Sequence, residues 1–298
     1  PVSALLSGFF IKVAVLALWR FFDYIEISRF SDILIWSGAV TALAGSLIAV
    51  LQQDAKNLLG YSSIAHIGYI LSALGMGGTI GKTAALFFII AHGLYKALLF
   101  LTVGSITHII GRRDVHVRGL QHYFPFRTVL LIIGVLSVIG IPFSSGFAAK
   151  HLISSAFASH PAGFFLSFAP IGSAVSLFKI CRMFTGKPNF EITEKKQTRS
   201  IPHIAIAAQI GLAVGCVFIG VLPEQVINII YGCIGTTEVT TVITTGAMFN
   251  AKTMLKTGAI IIGSLVTYGL LESNKGKIIE YRIFKTRVGI NGSLRLMI

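Results

Sequence analysis

Long apolar stretches separated by short polar segments recur along the chain and determine its predicted architecture. Each stretch is close to the length of about 20 residues that a helix needs to cross a bilayer core of about 30 Å. The pattern predicts an all-α, polytopic membrane protein with about eight transmembrane helices. The predicted spans are 2–22, 33–53, 57–77, 83–109, 127–159, 162–184, 203–222 and 254–271.

The fifth span, 127–159, is too long for one simple crossing. It contains Gly140-Ile141-Pro142, followed by Ser144-Ser145-Gly146. Proline removes a helix hydrogen bond and clashes with the preceding turn, so we predict a helix broken at Pro142. Two interpretations stay open: a break that faces protein or a water-filled cavity, or an ordinary kink that serves packing alone.

The composition agrees with burial in lipid. Hydrophobic residues make up 54% of the 298 residues, charged residues only 12%, and the mean hydropathy is +0.80. So few charged residues cannot form the polar shell of a soluble protein, which excludes a soluble enzyme, a disordered tail and a secreted disulfide scaffold. The three cysteines lack paired metal-ligand spacing and are predicted to be packing residues.

Basic residues are unevenly distributed between alternate loops. Counting along the predicted spans puts 16 on one side of the membrane and five on the other, the second group being Arg20, Arg29, Lys82, Lys252 and Lys256. This is the positive-inside pattern, and it predicts that both ends of the chain are cytoplasmic. It also explains most of the net charge of +14 without a nucleic-acid partner.

A few ionisable residues lie inside the spans. Lys12, Lys96 and Lys150 are near the middle of theirs, where a cation costs at least about 2.5–3.5 kcal/mol. His66 and His92 add groups that titrate near neutral pH, and His92 shares a helix face with Lys96. A lone histidine in a span usually serves packing, but five ionisable groups distributed over four spans favour a proton or ion relay. Lys179 is close to a span end and can reach the interface.

Carboxylates are absent from the middle of every predicted span. Buried lysines without buried counter-charges are electrostatically incomplete. We therefore expect the missing carboxylate to come from upstream helices or from another membrane protein of the same complex. The chain opens at Pro1 without a basic leader, which predicts a fragment or processed chain and no signal peptide.

Four segments carry a resemblance to a known family. Residues 53–69 resemble the motif QxDxKRLLAYSSIxHxGY, with Asn57 in place of a usual basic residue, and residues 91–101 resemble HxxxKALLFL. Residues 140–150 resemble the broken helix of the same family with its central lysine, and residues 1–12 resemble the helix in which the family keeps another buried lysine. The chain is thereby similar to the antiporter-like membrane subunits, which include subunits of respiratory complex I, Mrp-type Na+/H+ antiporters and membrane-bound hydrogenases.

The resemblance implies an architecture of two inverted five-helix repeats, of which this chain holds the second half-channel. It implies that residues 1–184 are the half-channel helices, residues 185–271 the C-terminal transmembrane helices with a Thr/Gly-rich connection at 223–253, and residues 272–298 a basic cytoplasmic tail. It also implies partners, namely other membrane subunits. The relay positions that it implies are Lys12, His66, His92, Lys96 and Lys150.

Three hypotheses of function remain at this stage. The favoured one, because the helix at 254–271 resembles the D-type proteins of Mrp antiporters, is a proton-translocating component of a cation/proton antiporter that moves protons and Na+. The second is a proton-pumping membrane-arm subunit of NADH:quinone oxidoreductase or a related hydrogenase, and the third is a non-conducting scaffold. We expect no catalytic residue, metal or cofactor in the chain itself, and a bacterial plasma membrane or mitochondrial inner membrane as its location.

Overall fold

The computed structural model describes residues 2–24, 30–189, 203–235 and 248–273, and within these ranges it contains helices and no β-strand. The prediction of an all-α polytopic membrane protein is confirmed. The helices are α1 (Val2–Leu5), a π-helical turn (Leu6–Phe10), α2 (Ile11–Tyr24), α3 (Ser31–Val50), α4 (Ala55–Met76), α5 (Gly78–Ile110), α6 (Leu120–Tyr123), α7 (Pro125–Ile139), α8 (Ser145–Ala156), α9 (Ala162–Phe184), α10 (His203–Val221), α11 (Pro223–Ile234) and α12 (Ala251–Glu272).

Six helices in the described ranges are long and apolar enough to cross a membrane: α3, α4, α5, α9, α10 and α12. They match six of the eight predicted spans. The other two predicted spans are segmented. The first consists of α1, the π-helical turn and α2 in succession, and the fifth is divided between α7 and α8.

The break in the fifth span lies where the sequence predicts it, around Pro142. Helix α7 ends at Ile139, and Gly140 adopts a left-handed conformation with φ of +84°. Helix α8 begins after Ser144, whose hydroxyl accepts a hydrogen bond from the Phe147 amide and so caps the new helix. Glycine is suited to position 140 because a residue with a side chain is strained at positive φ.

Main-chain contacts between loops show which helix ends lie together. The Ala55 amide donates to the Arg113 carbonyl at 2.8 Å, and the Val115 amide donates to the Gln53 carbonyl at 3.0 Å. The loop before α4 therefore pairs with the loop after α5. Asp54 sits in this pairing and caps α4 by accepting from two amides of its first turn.

The same end of the bundle gathers further helix ends. The Gly119 amide donates to the Thr185 carbonyl, and Glu272 at the end of α12 forms ion pairs with Arg118 and Arg182. We call the set of loops 51–54, 111–119 and 185–189 the basic end. Many of the basic residues that alternate-loop counting assigned to one side lie in or beside these loops, as Lys56, Arg112, Arg113, Arg118, Arg182 and Lys187.

The core lies around α4 and α5. Of the most apolar 18 residues, 72% are buried in each of these two helices, against 6% in α12. Helices α3 and α4 approach closely because glycines face the opposite backbone. A Cβ atom at Gly45 would lie 2.7 Å from the Ala65 amide nitrogen, and one at Gly75 would lie 2.8 Å from the Leu34 Cβ.

Part of the Thr/Gly-rich connection, 223–253, forms the short helix α11. Its buried side chains, Val226, Ile227, Ile230 and Tyr231, belong to the hydrophobic core, and α11 packs against α5. At 12 residues it is too short to cross a bilayer core. Residues 236–247, and the predicted basic tail beyond residue 273, lie outside the described residues.

Candidate functional site

Lys96 lies at the centre of the bundle. Its side chain on α5 is fully buried, and its Nζ donates hydrogen bonds to the Ser62 hydroxyl at 2.7 Å and to the Leu59 carbonyl at 3.2 Å. Both acceptors belong to α4, where a spacing of three residues places them on one helix face. An ammonium group inside a membrane protein is thereby bonded to neutral oxygens alone among the contacts described.

Lys12 is connected to this centre through serine side chains. Its Nζ donates to the backbone carbonyl of Ser7, within the π-helical turn that precedes it. The Ser7 hydroxyl lies 2.9 Å from the Ser63 hydroxyl, which donates to the Leu59 carbonyl at 3.0 Å. Because Lys96 donates to the same carbonyl, hydrogen bonds link Lys96 to the Ser7 hydroxyl, while Lys12 bonds to the main-chain carbonyl of the same serine.

His66 on α4 and His92 on α5 face each other. Their ring centroids lie 5.3 Å apart in a T-shaped arrangement, and Tyr95 lies within 5.6 Å of both rings. Both histidines are fully buried. None of their four ring nitrogens has a hydrogen-bond partner among the described residues, although buried polar groups in native proteins are nearly always paired.

Tyr69 connects the histidine pair to the opposite end of the bundle. Its ring centroid lies 6.4 Å from that of His66, and it stacks on Phe88 at 5.4 Å. Its hydroxyl donates to the Leu166 carbonyl of α9 at 2.9 Å. Tyr69 is therefore fixed at a boundary, with the histidine on one side and the cavity described below on the other.

Lys150 lies at the helix break. Its Nζ donates to the carbonyls of Val138 and Ile139, at 2.7 and 2.9 Å. These are the last carbonyls of α7, which have no partner inside their helix because the chain turns away at Gly140. A cation at the carboxyl end of a helix is also favoured by the helix dipole. The break thus creates the binding site for this ammonium group.

A cavity of about 550 Å³ opens beside the break, between α8, α9 and the beginning of α12. Lys150 and Tyr69 form its inner wall. His151, Lys256 and the partly exposed Phe164 lie farther out. The cavity therefore connects the surface of the protein with Lys150.

The structure brings together the residues that the sequence singled out, in two groups. One group consists of Lys12, Lys96 and the polar residues between them. The second is Lys150 at the helix break, and the histidine pair extends from the first group towards it. Four further residues contribute to these contacts and were not predicted as site residues, although all occur in the segments that carry the family resemblance: Ser7, Ser62, Ser63 and Tyr69.

The chain also matches a known protein family. The transmembrane family described as "NADH:quinone oxidoreductase/Mrp antiporter, TM" matches residues 1–176, more than half of the chain. The chain belongs to this family. The resemblance inferred from the lysine and histidine motifs is therefore confirmed.

Individual relatives come from both branches of the family. The chain is 31% identical over 243 residues to a probable K(+)/H(+) antiporter protein of Rhizobium meliloti, a match that covers 76% of this chain and 24% of that one. It is 33% identical over 197 residues to "NAD(P)H-quinone oxidoreductase chain 5" of Picosynechococcus, covering 62% and 29%. The chain thus spans less than a third of the length of these relatives.

Solved structures share the fold. A chain of the Mrp complex from Dietzia sp. matches with a TM-score of 0.75 and 23% identity, over 99% of this chain and 34% of that one. A chain of an archaeal membrane-bound sulfane sulfur reductase matches with a TM-score of 0.70 and 23% identity, over 89% and 51%. The fold of this family member therefore occurs in different membrane complexes.

Proposed function

We propose that this family member moves protons inside a membrane complex along its buried lysines and histidines. The observation that carries the proposal is the set of hydrogen bonds that links Lys96 through the Leu59 carbonyl and Ser63 to Ser7, the residue whose main-chain carbonyl binds Lys12. The proposed relay is Lys12, Lys96, His92, His66 and Lys150, with Lys150 nearest the cavity.

The chemistry of these groups suits proton transfer. Each ammonium group donates to hydroxyl or carbonyl oxygens, so it can hold its proton in a bundle that offers it no carboxylate among the described contacts. A serine hydroxyl both donates and accepts, and can pass a proton between neighbours. The unpaired ring nitrogens of the two histidines can take up or release a proton at each side of the ring.

We further propose that the whole protein is one component of a cation/proton antiporter complex. The match to the Rhizobium antiporter protein, which extends beyond the half-channel helices, supports this assignment. Upstream helices or another membrane protein of the complex would then supply the carboxylate that balances the buried lysines. By the positive-inside rule, the basic end faces the cytoplasm.

The alternative is a proton-pumping membrane arm of a quinone-reducing complex. The similarity to chain 5 of the Picosynechococcus oxidoreductase favours it. In that case the redox chemistry belongs to other proteins of the complex, and this chain contributes proton movement alone. The two functions share the relay and differ in what drives it.

The test uses inverted vesicles that carry the full-length protein in its complex, wild type beside Lys96→Ala. A pH-sensitive dye follows acidification by NADH and its reversal by added sodium. We expect Lys96→Ala to reduce proton movement at least tenfold, because the variant removes the central group of the relay. Loss of the sodium response alone identifies an antiporter, and loss of NADH-driven acidification alone identifies the oxidoreductase arm.

Lys179→Ala is the matched control. Lys179 also donates to a main-chain carbonyl, that of Val50, but near the basic end and away from the relay. It should keep nearly normal proton movement. Normal activity of Lys96→Ala, at wild-type protein levels in the membrane, would refute the relay and leave the scaffold hypothesis.

A further inference from the structure

The outer part of the cavity is unusually cationic. Besides Lys150, its lining includes His151, Lys252 and Lys256, and the described residues that form its wall include no carboxylate. Lys256 donates to the Ser154 hydroxyl at 2.7 Å. The cavity is therefore lined by groups that can bind an anion and by none that would repel one.

Two of these lysines lie close enough to destabilise their helix when no anion is bound. Lys252 and Lys256 are four residues apart at the start of α12, so they lie on one face of the helix. Like charges at this spacing destabilise a helix, and the positive end of the helix dipole adds to the repulsion. A bound anion would remove both penalties.

The position of the lysines also departs from the charge pattern of the chain. Only five of the basic residues counted in alternate loops fall on the charge-poor side of the membrane, and two of these five line this one cavity. Orientation in the membrane does not explain lysines on that side. Binding of a negatively charged group would explain the position of these two lysines.

Apolar surface continues from the cationic wall. Phe164, which lines the cavity, is 64% exposed, and Phe168, whose ring centroid lies 4.7 Å from that of Phe164, is 48% exposed. A ligand with a charged head and long apolar chains matches both surfaces at once. A free phosphate ion would contact only the cationic wall.

We propose that this cavity binds the phosphate headgroup of an anionic phospholipid, with Lys252 and Lys256 as its cationic contacts and the exposed rings of Phe164 and Phe168 on α9 against its acyl chains. His151 and Ser154 complete the polar wall of the cavity. The proposal goes beyond proton movement and does not depend on it.

The test is native mass spectrometry of the full-length protein in its complex, after delipidation in detergent and addition of dioleoyl-phosphatidylglycerol or dioleoyl-phosphatidylcholine at equal concentration. The wild type should retain phosphatidylglycerol preferentially. Lys252→Gln combined with Lys256→Gln should weaken that retention about tenfold or more, since each lysine near a surface contributes to binding of anionic lipid. Gel filtration confirms that the variant complex is assembled.

The control is Lys56→Gln combined with Lys82→Gln, which removes the same charge away from the cavity and should retain the lipid. Equal retention of both lipids by the wild type, or undiminished retention by the cavity variant, would overturn the proposal. Displacement of phosphatidylglycerol by micromolar inorganic phosphate would assign the site to free phosphate instead. Carbodiimide crosslinking of Lys252 to an acidic residue of a neighbouring protein in the complex would assign it to that protein's carboxylate.

Discussion

Lys96 and Lys150 hold their ammonium groups inside the same bundle in different ways. Lys96 stands on the unbroken helix α5 and takes a hydroxyl and a shared carbonyl from the neighbouring helix, through Ser62 and Leu59. Lys150 takes two carbonyls that the end of α7 leaves free. The carbonyls of an intact helix are hydrogen-bonded within that helix. The Lys96 site therefore needs an additional acceptor from a side chain, and the Lys150 site needs a helix end with free carbonyls. The two lysines should therefore respond to different substitutions.

The largest effect should come from adding a side chain where α7 and α8 meet at the break. A Cβ atom at Gly146 would overlap the backbone carbonyl of Ser137, so Gly146→Ala must separate α7 from α8. We expect the free energy of unfolding to fall by about 2 kcal/mol or more, with Lys150 displaced from its carbonyls. Thermal denaturation of the purified complex measures this.

Gly211→Ala in α10 is the matched control, because no described residue packed against this part of α10 comes within 4 Å of the position of its Cβ. It should leave stability unchanged or slightly raised, since alanine favours helix more than glycine. Similar melting temperatures for the two variants would show that the packing at the break is not tight.

A smaller effect should follow from removing the hydroxyl at the other lysine. Ser62→Ala leaves Lys96 with the Leu59 carbonyl alone, and we expect a loss of about 1–3 kcal/mol in stability because a buried charged donor loses a partner. Proton movement should slow severalfold, while the contacts of Lys150 stay intact. Denaturation and the vesicle assay together measure this.

The comparison for Ser62 is Ser105→Ala. Ser105 donates only within its own helix, to the Thr102 carbonyl at 2.9 Å. This variant should lose clearly less stability and keep its transport rate. If the two serine variants behave alike, the hydroxyl of Ser62 is not what holds Lys96.

The smallest effect should come from Ser63→Ala, which interrupts the contacts between Lys12 and Lys96 without touching either lysine. We expect about 1–2 kcal/mol of lost stability, because the hydroxyl makes two hydrogen bonds between neutral groups, and a modest decrease in proton movement. Ser176→Ala removes a bond of similar length inside α9 and serves as control. An unchanged transport rate in Ser63→Ala would mean that Lys96 does not receive protons through Ser7.

Much of the fold was predictable because the bilayer imposes a simple length requirement. A helix such as α3 or α9 needs only an apolar stretch long enough to cross, and that stretch is visible in the sequence. The lysines were visible for the opposite reason: a cation is so costly in an apolar span that Lys96 and Lys150 stand out. The break at Pro142 followed from the chemistry of proline and glycine.

The supporting residues could not be predicted in the same way. A serine in a membrane helix can bond to a carbonyl of its own helix, as Ser105 does, so nothing in the sequence distinguishes Ser62 from it. The facing of His66 and His92 depends on how α4 and α5 pack, which no local pattern specifies. The π-helical turn before Lys12 likewise has no sequence signature that we could use.

Helix α12 lies on the outside of the bundle and is attached to it near both of its ends. It is little buried along its length, yet it is fastened near one end by Lys256 to Ser154 on α8 and at the other by Glu272 to Arg118 and Arg182. At about 1.5 Å per residue, its 22 residues span roughly 33 Å, the thickness of a bilayer core. Between these ends it packs along α9, where the ring centroids of Tyr268 and Phe178 lie 5.7 Å apart, so a shift of α8 at the break would displace a helix that reaches the loops at the opposite membrane surface.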